Sequence, residues 1–185
     1  MNASEPGPEA QLSALLSRFP TEIVALAKAC LLELRRTFPG CYELVYEYSH
    51  SLVVSFGVTD RGYEAIVALA IYPGCVRLYF GAGKSLRDPE GILEGSASKV
   101  RFVPIESAAD LDRKDIRALI DAAIEHSGAA LPRGAKTRLI IKSESKKKGK
   151  PAAKKGSKPA SKKKLKPKPK SKSKPKPKPG RAGRA

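Results

Sequence analysis

Charge is divided so unevenly along this chain that it limits which part can fold. The segment from Glu144 to Ala185 carries seventeen Lys, two Arg and one acid, and its net +18 is the whole formal charge of the protein. Residues 1–143 carry seventeen basic and seventeen acidic residues and are neutral. The basic segment also holds seven Pro, one Leu and no aromatic residue. With so little apolar surface, nothing offsets the entropy of ordering its backbone, so 144–185 is expected to be a disordered arm. Its Lys-Pro alternation, from Lys166 to Pro169 and from Lys174 to Pro179, favours extended polyproline geometry. At ~3.1 Å per residue the arm reaches at most ~130 Å. Folding is left to about 130 residues, the length of one ordinary domain.

That body has a real core to bury: it is rich in Leu, Ile, Val and Ala and holds all 5 Phe and 6 Tyr. No apolar run reaches the ~18 residues that span a bilayer. The acidic, Pro-rich start has no basic and apolar regions of the kind a secretory signal needs. Cys30, Cys41 and Cys75 are odd in number and lack CxxC spacing, which fits buried thiols in a reducing cytoplasm.

Periodicity places the elements. Residues 1–8 are expected to be disordered. Leu12, Leu15, Leu16 and Phe19 mark one face of a helix over 9–18. After Pro20, Thr21 is the expected cap of a second helix over 22–38, with Ile23, Leu26, Ala27, Cys30, Leu31 and Leu34 inward. Pro39-Gly40 ends it. Four strands are predicted over 42–48, 52–58, 63–72 and 75–80, with a short fifth over 100–103. In the first, Tyr42, Leu44, Tyr46 and Tyr48 share one face and Glu43, Val45 and Glu47 the other. The short loops force antiparallel neighbours, hence a meander. Asp112 and Asp115 fall at N-cap and N3 of a helix over 113–126, with Gly128 as its stop. Residues 129–143 are expected to link body to arm, with Arg138–Ile141 an extended piece of no clear place. The expected fold is a two-layer α+β sandwich, an antiparallel sheet of about five strands packed by N- and C-terminal helices.

The arm offers the clearest binding residues. Lys146, Lys147, Lys148, Lys150, Lys154, Lys155, Lys158, Lys162, Lys163, Lys164, Lys166, Lys168, Lys170, Lys172, Lys174, Lys176, Lys178, Arg181 and Arg184 are nucleic-acid candidates. With no aromatic among them, their contacts would be to phosphates and would not read sequence. Anionic lipid is the competing partner, but Leu165 is the arm's one anchor. In composition the arm resembles the Lys/Pro/Ala-rich tails of linker histones and some bacterial histone-like proteins, a resemblance that implies non-specific DNA binding.

The stretch Tyr79–Val103, YFGAGKSLRDPEGILEGSASKVRFV, resembles the signature of the YdhG-like domains, a family of unknown function. Asp88-Pro89 stands at its Asp-Pro pair, Ile92-Leu93 at its Leu pair, Gly95-Ser96-Ala97-Ser98 at its Gly-rich turn and Arg101 at its Arg. Ala97 and Ser98 depart from the glycine and lysine of that turn. The resemblance covers roughly residues 12–126 and implies a frataxin-like sandwich. Some family members are described as iron chaperones, a role that needs acidic ligands on the right surface.

Other motifs have bland readings beside the functional ones. Gly81-Ala82-Gly83-Lys84 lacks the full P-loop pattern and reads as a strand-ending turn. Arg77, Lys84, Lys99 and Arg101 are candidates for a small anion cleft, against a solvated surface or an Arg101–Asp88 pair. Glu106, Asp110, Asp112 and Asp115 form the densest acidic cluster, which helix capping already accounts for. Glu43 and Glu47, with Glu22 and Glu33, would lie on a frataxin-like ridge and read as solvated acids. Metal candidates are thus Glu43, Glu47, Asp112 and Asp115. His50 and His126 have neither metal spacing nor a nearby nucleophile motif, and Cys30 lies on a buried helix face, which disfavours an enzyme.

The expected protein is a cytoplasmic, nucleoid-associated, non-enzymatic binding module held to DNA by its arm, without a cofactor and without a membrane span. The alternatives are a frataxin-like iron or metal chaperone, and an enzyme or binder of a small anion near Arg101.

Overall fold

Apolar alternation along four successive strands demands a sheet with one well-covered face. The computed structural model describes residues 6–132 and 135–142. Strands β1 (Tyr42–Glu47), β2 (Leu52–Gly57), β3 (Val67–Tyr72), β4 (Cys75–Phe80) and β5 (Arg101–Ile105) each run antiparallel to the one before. The expected meander is therefore present. Helices α1 (Pro8–Leu16) and α2 (Thr21–Thr37) precede it and α3 (Lys114–Ser127) follows.

Two expectations are corrected. The sheet has six strands and is mixed, and residues 129–143 are more than a linker. Within them β6 (Arg138–Lys142) pairs parallel with β1, Leu44 lying opposite Ile140. The sheet order is β5-β4-β3-β2-β1-β6, so β5 and β6 form its two edges. A parallel return requires a crossover longer than a hairpin, and α3 lies in the connection between those edges. The segment after α3 passes close to Gly40, whose φ is 71°; a Cβ there would stand 2.7 Å from the Pro132 carbonyl oxygen. The Arg138 N–H then donates to the Cys41 carbonyl at 3.1 Å, which starts the new strand.

Element ends also shift. Residues 63–66 do not extend β3: Gly62–Glu64 form a 3₁₀ turn, and the Glu64 carboxylate accepts from Thr59 and Arg61. β5 runs through Pro104, which an edge strand tolerates because one side of its backbone needs no partner. Pro20, not Thr21, precedes the first residue of α2, without a side-chain cap. Asp112 is not the cap of α3. It ends a 3₁₀ turn (Ala108–Asp112) whose start carries a capping box of Ser107 and Asp110. The Asp110 carboxylate accepts from the N–H groups of Glu106 and Ser107 at 2.9 and 2.8 Å. Gly128 closes α3 at φ 64°, as expected of an αL stop.

The core lies between the helices and one sheet face. Val45, Val54, Leu69, Leu78 and Val103 form one cross-strand row of it, and Phe56, Val67 and Phe80 form another. Against them pack Leu12 and Leu16 of α1, Ile23, Ala27, Cys30, Leu31 and Leu34 of α2, and Ile116, Leu119 and Ile120 of α3. The helix stripes read from the 3.6-residue period are thus the buried ones. Strand residues of opposite parity belong to the other face, which no described helix joins in this core.

Candidate functional site

Strand parity decides where the candidate residues go. Glu43 and Glu47 lie on the helix side of β1, in register with Phe56 and Leu52. Glu43 is fully buried, contrary to its reading as a solvated acid. Its carboxylate accepts two hydrogen bonds from Arg35 of α2, Nε at 2.8 Å and Nη2 at 2.9 Å. The same guanidinium reaches Glu9 of α1, Nη2 to Oε1 at 3.0 Å. Burial pushes the Glu43 carboxyl above its ordinary range, while the bond and charge of Arg35 pull it back. This is a structural ion pair joining both N-terminal helices to the sheet. Its oxygens face a cation already, so Glu43 does not serve as a metal ligand here.

The other acidic candidates are also engaged. Glu47 pairs with Arg18, and Glu33 with Arg36. Arg113 binds Asp115, Nη2 to Oδ2 at 2.5 Å, and that bond holds the Asp115 carboxyl below its usual range. Asp112 is exposed at the end of its 3₁₀ turn. Among the described residues no three His, Cys, Asp or Glu side chains come together as metal ligands do.

Of the four basic residues of the expected anion cleft, Lys84 and Lys99 are joined through backbone, next to Arg101 across Gly83, and Arg77 is apart from them. Arg77 faces away from the helices, opposite Pro104, whereas Arg101 stands opposite Phe80 on the core side. Arg101 donates through Nη1 to the carbonyls of Ala97 and Val100, at 2.5 and 2.8 Å. Asp88 instead accepts from the N–H groups of Ile92 and Leu93, at 3.1 and 2.8 Å. Each therefore organises the Gly-rich stretch through backbone, and the alternative Arg101–Asp88 pair is not made. Residues 83–85 form a 3₁₀ turn in which the N–H groups of Lys84, Ser85 and Leu86 donate to Lys99, Ala82 and Gly83 carbonyls. A phosphate cradle needs such N–H groups free.

Cys30 and Cys41 are buried, and burial pushes the Cys30 thiol up to about 12. Cys75 is half-buried. His126 sits in the last turn of α3, as read, and His50 in the β1–β2 turn.

The face turned away from the helices has a composition that the separate motifs did not reveal. Its middle row runs Leu44, Ser55, Ala68, Tyr79, Phe102, and the next runs Tyr46, Val53, Ala70, Arg77, Pro104. Ser55, Ala68 and Ala70 beside the larger Tyr72 and Tyr79 make a trough of about 410 Å³. Tyr63 borders it from the 3₁₀ turn and is 82% exposed. Tyr46 supports that turn, its hydroxyl lying where a side chain on Gly62 would begin. On the other flank, the Tyr79 and Phe102 rings are 5.2 Å apart. The Arg77 guanidinium lies 4.6 Å from the Phe102 centroid and 5.4 Å from that of Tyr72. Tyr72 and Tyr79 share a hydrogen bond of 3.3 Å, which together with burial pushes the Tyr72 phenol up to about 12. Toward β6, Arg138 donates to the Tyr42 hydroxyl at 2.7 Å. Arg77, Arg138 and Lys142 are basic on this face, and its one acid among these neighbours is Glu94, bridged to Phe102 beyond β5. The signal available in the sequence was this parity: Glu43 and Glu47 fall on one register, and the Tyr-rich positions on the other.

The nucleic-acid candidates from Lys146 to Arg184 lie outside the described residues. Among the described residues no helix is long and apolar enough to cross a membrane. No protein-family model, no curated protein and no solved structure matches this chain.

Proposed function

We propose that this protein is a DNA-associated binding module, in which the arm from Lys146 to Arg184 holds the chain to duplex DNA through phosphates. The observation that carries the reading is the charge division: a neutral body followed by 42 residues with a net of +18. Such a segment releases the condensed counterions of DNA and binds without reading bases. Nucleoid association in the cytoplasm follows as part of the same proposal. The body is the binding module. Its proposed YdhG-like, frataxin-like character is supported by the two-layer α+β arrangement and by the turn that Asp88 holds before Ile92-Leu93.

The test is duplex binding across a salt series, by the full chain and by residues 1–143, which contain every described strand and helix. If ~10 phosphates are neutralised, log K falls with log salt at a slope near −9, and the truncation loses the binding. Comparable binding by both forms would transfer the contact to the body. Absence of binding by either would reject the reading.

A further inference from the structure

We propose that the helix-free face of the sheet stacks the bases of single-stranded DNA, in the trough lined by Tyr63, Tyr72 and Tyr79. The proposal rests on the phosphate-binding reading of the arm and adds to it the feature the arm lacks. The arm has no aromatic residue, so it cannot hold a base by stacking. The sheet face has the missing rings: Tyr63, Tyr72 and Tyr79 line a trough floored by Ser55, Ala68 and Ala70. Small floor residues leave room for a flat group, and Tyr63, exposed at the rim, offers it a π-face. Arg77, over both Phe102 and Tyr72, adds a cation beside the same rings. Arg groups and aromatic planes on a sheet are what bind unpaired bases, because every base has a π-face.

Charge selects this occupant over a second copy of the chain. The face carries Arg77, Arg138 and Lys142 against one acid, Glu94, which is bridged to Phe102 at the β5 edge. Two copies joined face to face about a two-fold axis would set these cations toward one another. An anionic, aromatic polymer satisfies both features at once. In sequence the arm follows β6, which carries two of those cations.

The experiment compares two labelled oligomers of about 12 nucleotides, a range one such module covers. One is oligothymidylate and the other is an abasic strand of equal length and charge. Binding of the full chain is followed by fluorescence anisotropy at fixed salt. The arm sees the same phosphates in both, so a preference for bases reports the body. The expected result is roughly tenfold tighter binding of the oligothymidylate. Tyr79→Leu, which keeps an apolar side chain but removes the ring, and Tyr63→Ala, at an exposed position, should bring the ratio toward one. Both should leave the abasic affinity unchanged. Equal binding of the two oligomers by the unaltered chain would overturn the stacking proposal and leave the phosphate reading standing. A preference unaffected by either substitution would also overturn it. Failure to bind either oligomer would overturn the stacking proposal, and the duplex salt series decides the phosphate reading separately.

Discussion

Removing the Arg35 side chain tests the account of Glu43. In Arg35→Met the Glu43 carboxylate stays in place with no exposed surface, and it loses both hydrogen bonds of 2.8 and 2.9 Å. Glu9 gives no substitute, being an acid that Arg35 also held. Breaking a buried pair by removing one partner costs about 3–5 kcal/mol, because the remaining charge is buried alone. At ~4 °C per kcal/mol for a domain of this size, the midpoint should fall by roughly 12–20 °C. The loss depends on pH in a definite direction. Burial already raises the Glu43 carboxyl, and Arg35 opposes that rise. Without Arg35 the folded-state pKa climbs further above the unfolded one. A raised carboxyl pKa means the folded state holds the proton more tightly, so stability is gained below that pKa and lost as pH rises through it. The deficit of Arg35→Met should therefore be smaller at acidic than at neutral pH. Glu43→Gln is the control: it loses the pair without leaving a buried charge, and about 1–2 kcal/mol is expected. The double variant should recover much of the loss seen in Arg35→Met, since the two sites are coupled. Thermal melts monitored by circular dichroism, at several pH values, measure all of these. A deficit under ~1 kcal/mol in Arg35→Met that does not vary with pH would refute the claim of a buried, structurally paired Glu43.

Two further outcomes follow from other parts of the body. Asp110→Ala removes the acceptor for the N–H groups of Glu106 and Ser107 and should lower stability by ~1 kcal/mol, with Asp110→Asn losing less; urea titration compares them. In a thiol-labelling time course on the native chain, the half-buried Cys75 should react first, and Cys30 and Cys41 only on unfolding, because burial holds both thiols protonated and out of reach. Equal, fast labelling of all three would contradict their placement.

The features legible in the sequence alone are local or compositional. The stripes of α2 and α3, the meander and the stop at Gly128 follow from periods of 3.6 and 2 and from turn chemistry, which act between near neighbours. The cationic arm follows from counting charges. The tertiary structure decided the rest, because those features depend on partners far along the chain. Nothing near Arg138–Lys142 says that it lies beside β1; that depends on where α3 returns the chain. Alternation along β1 divides Glu43 from Tyr42 but does not say which side the helices cover, so Glu43 read as solvated when it is buried on Arg35. Arg77 and Arg101 looked like neighbours of one loop, yet the pairing of β4 with β5 sends them to opposite faces. The same pairing gathers Arg77, Tyr79 and Phe102 on the face opposite Glu43, an assembly that exists only once the strands lie side by side.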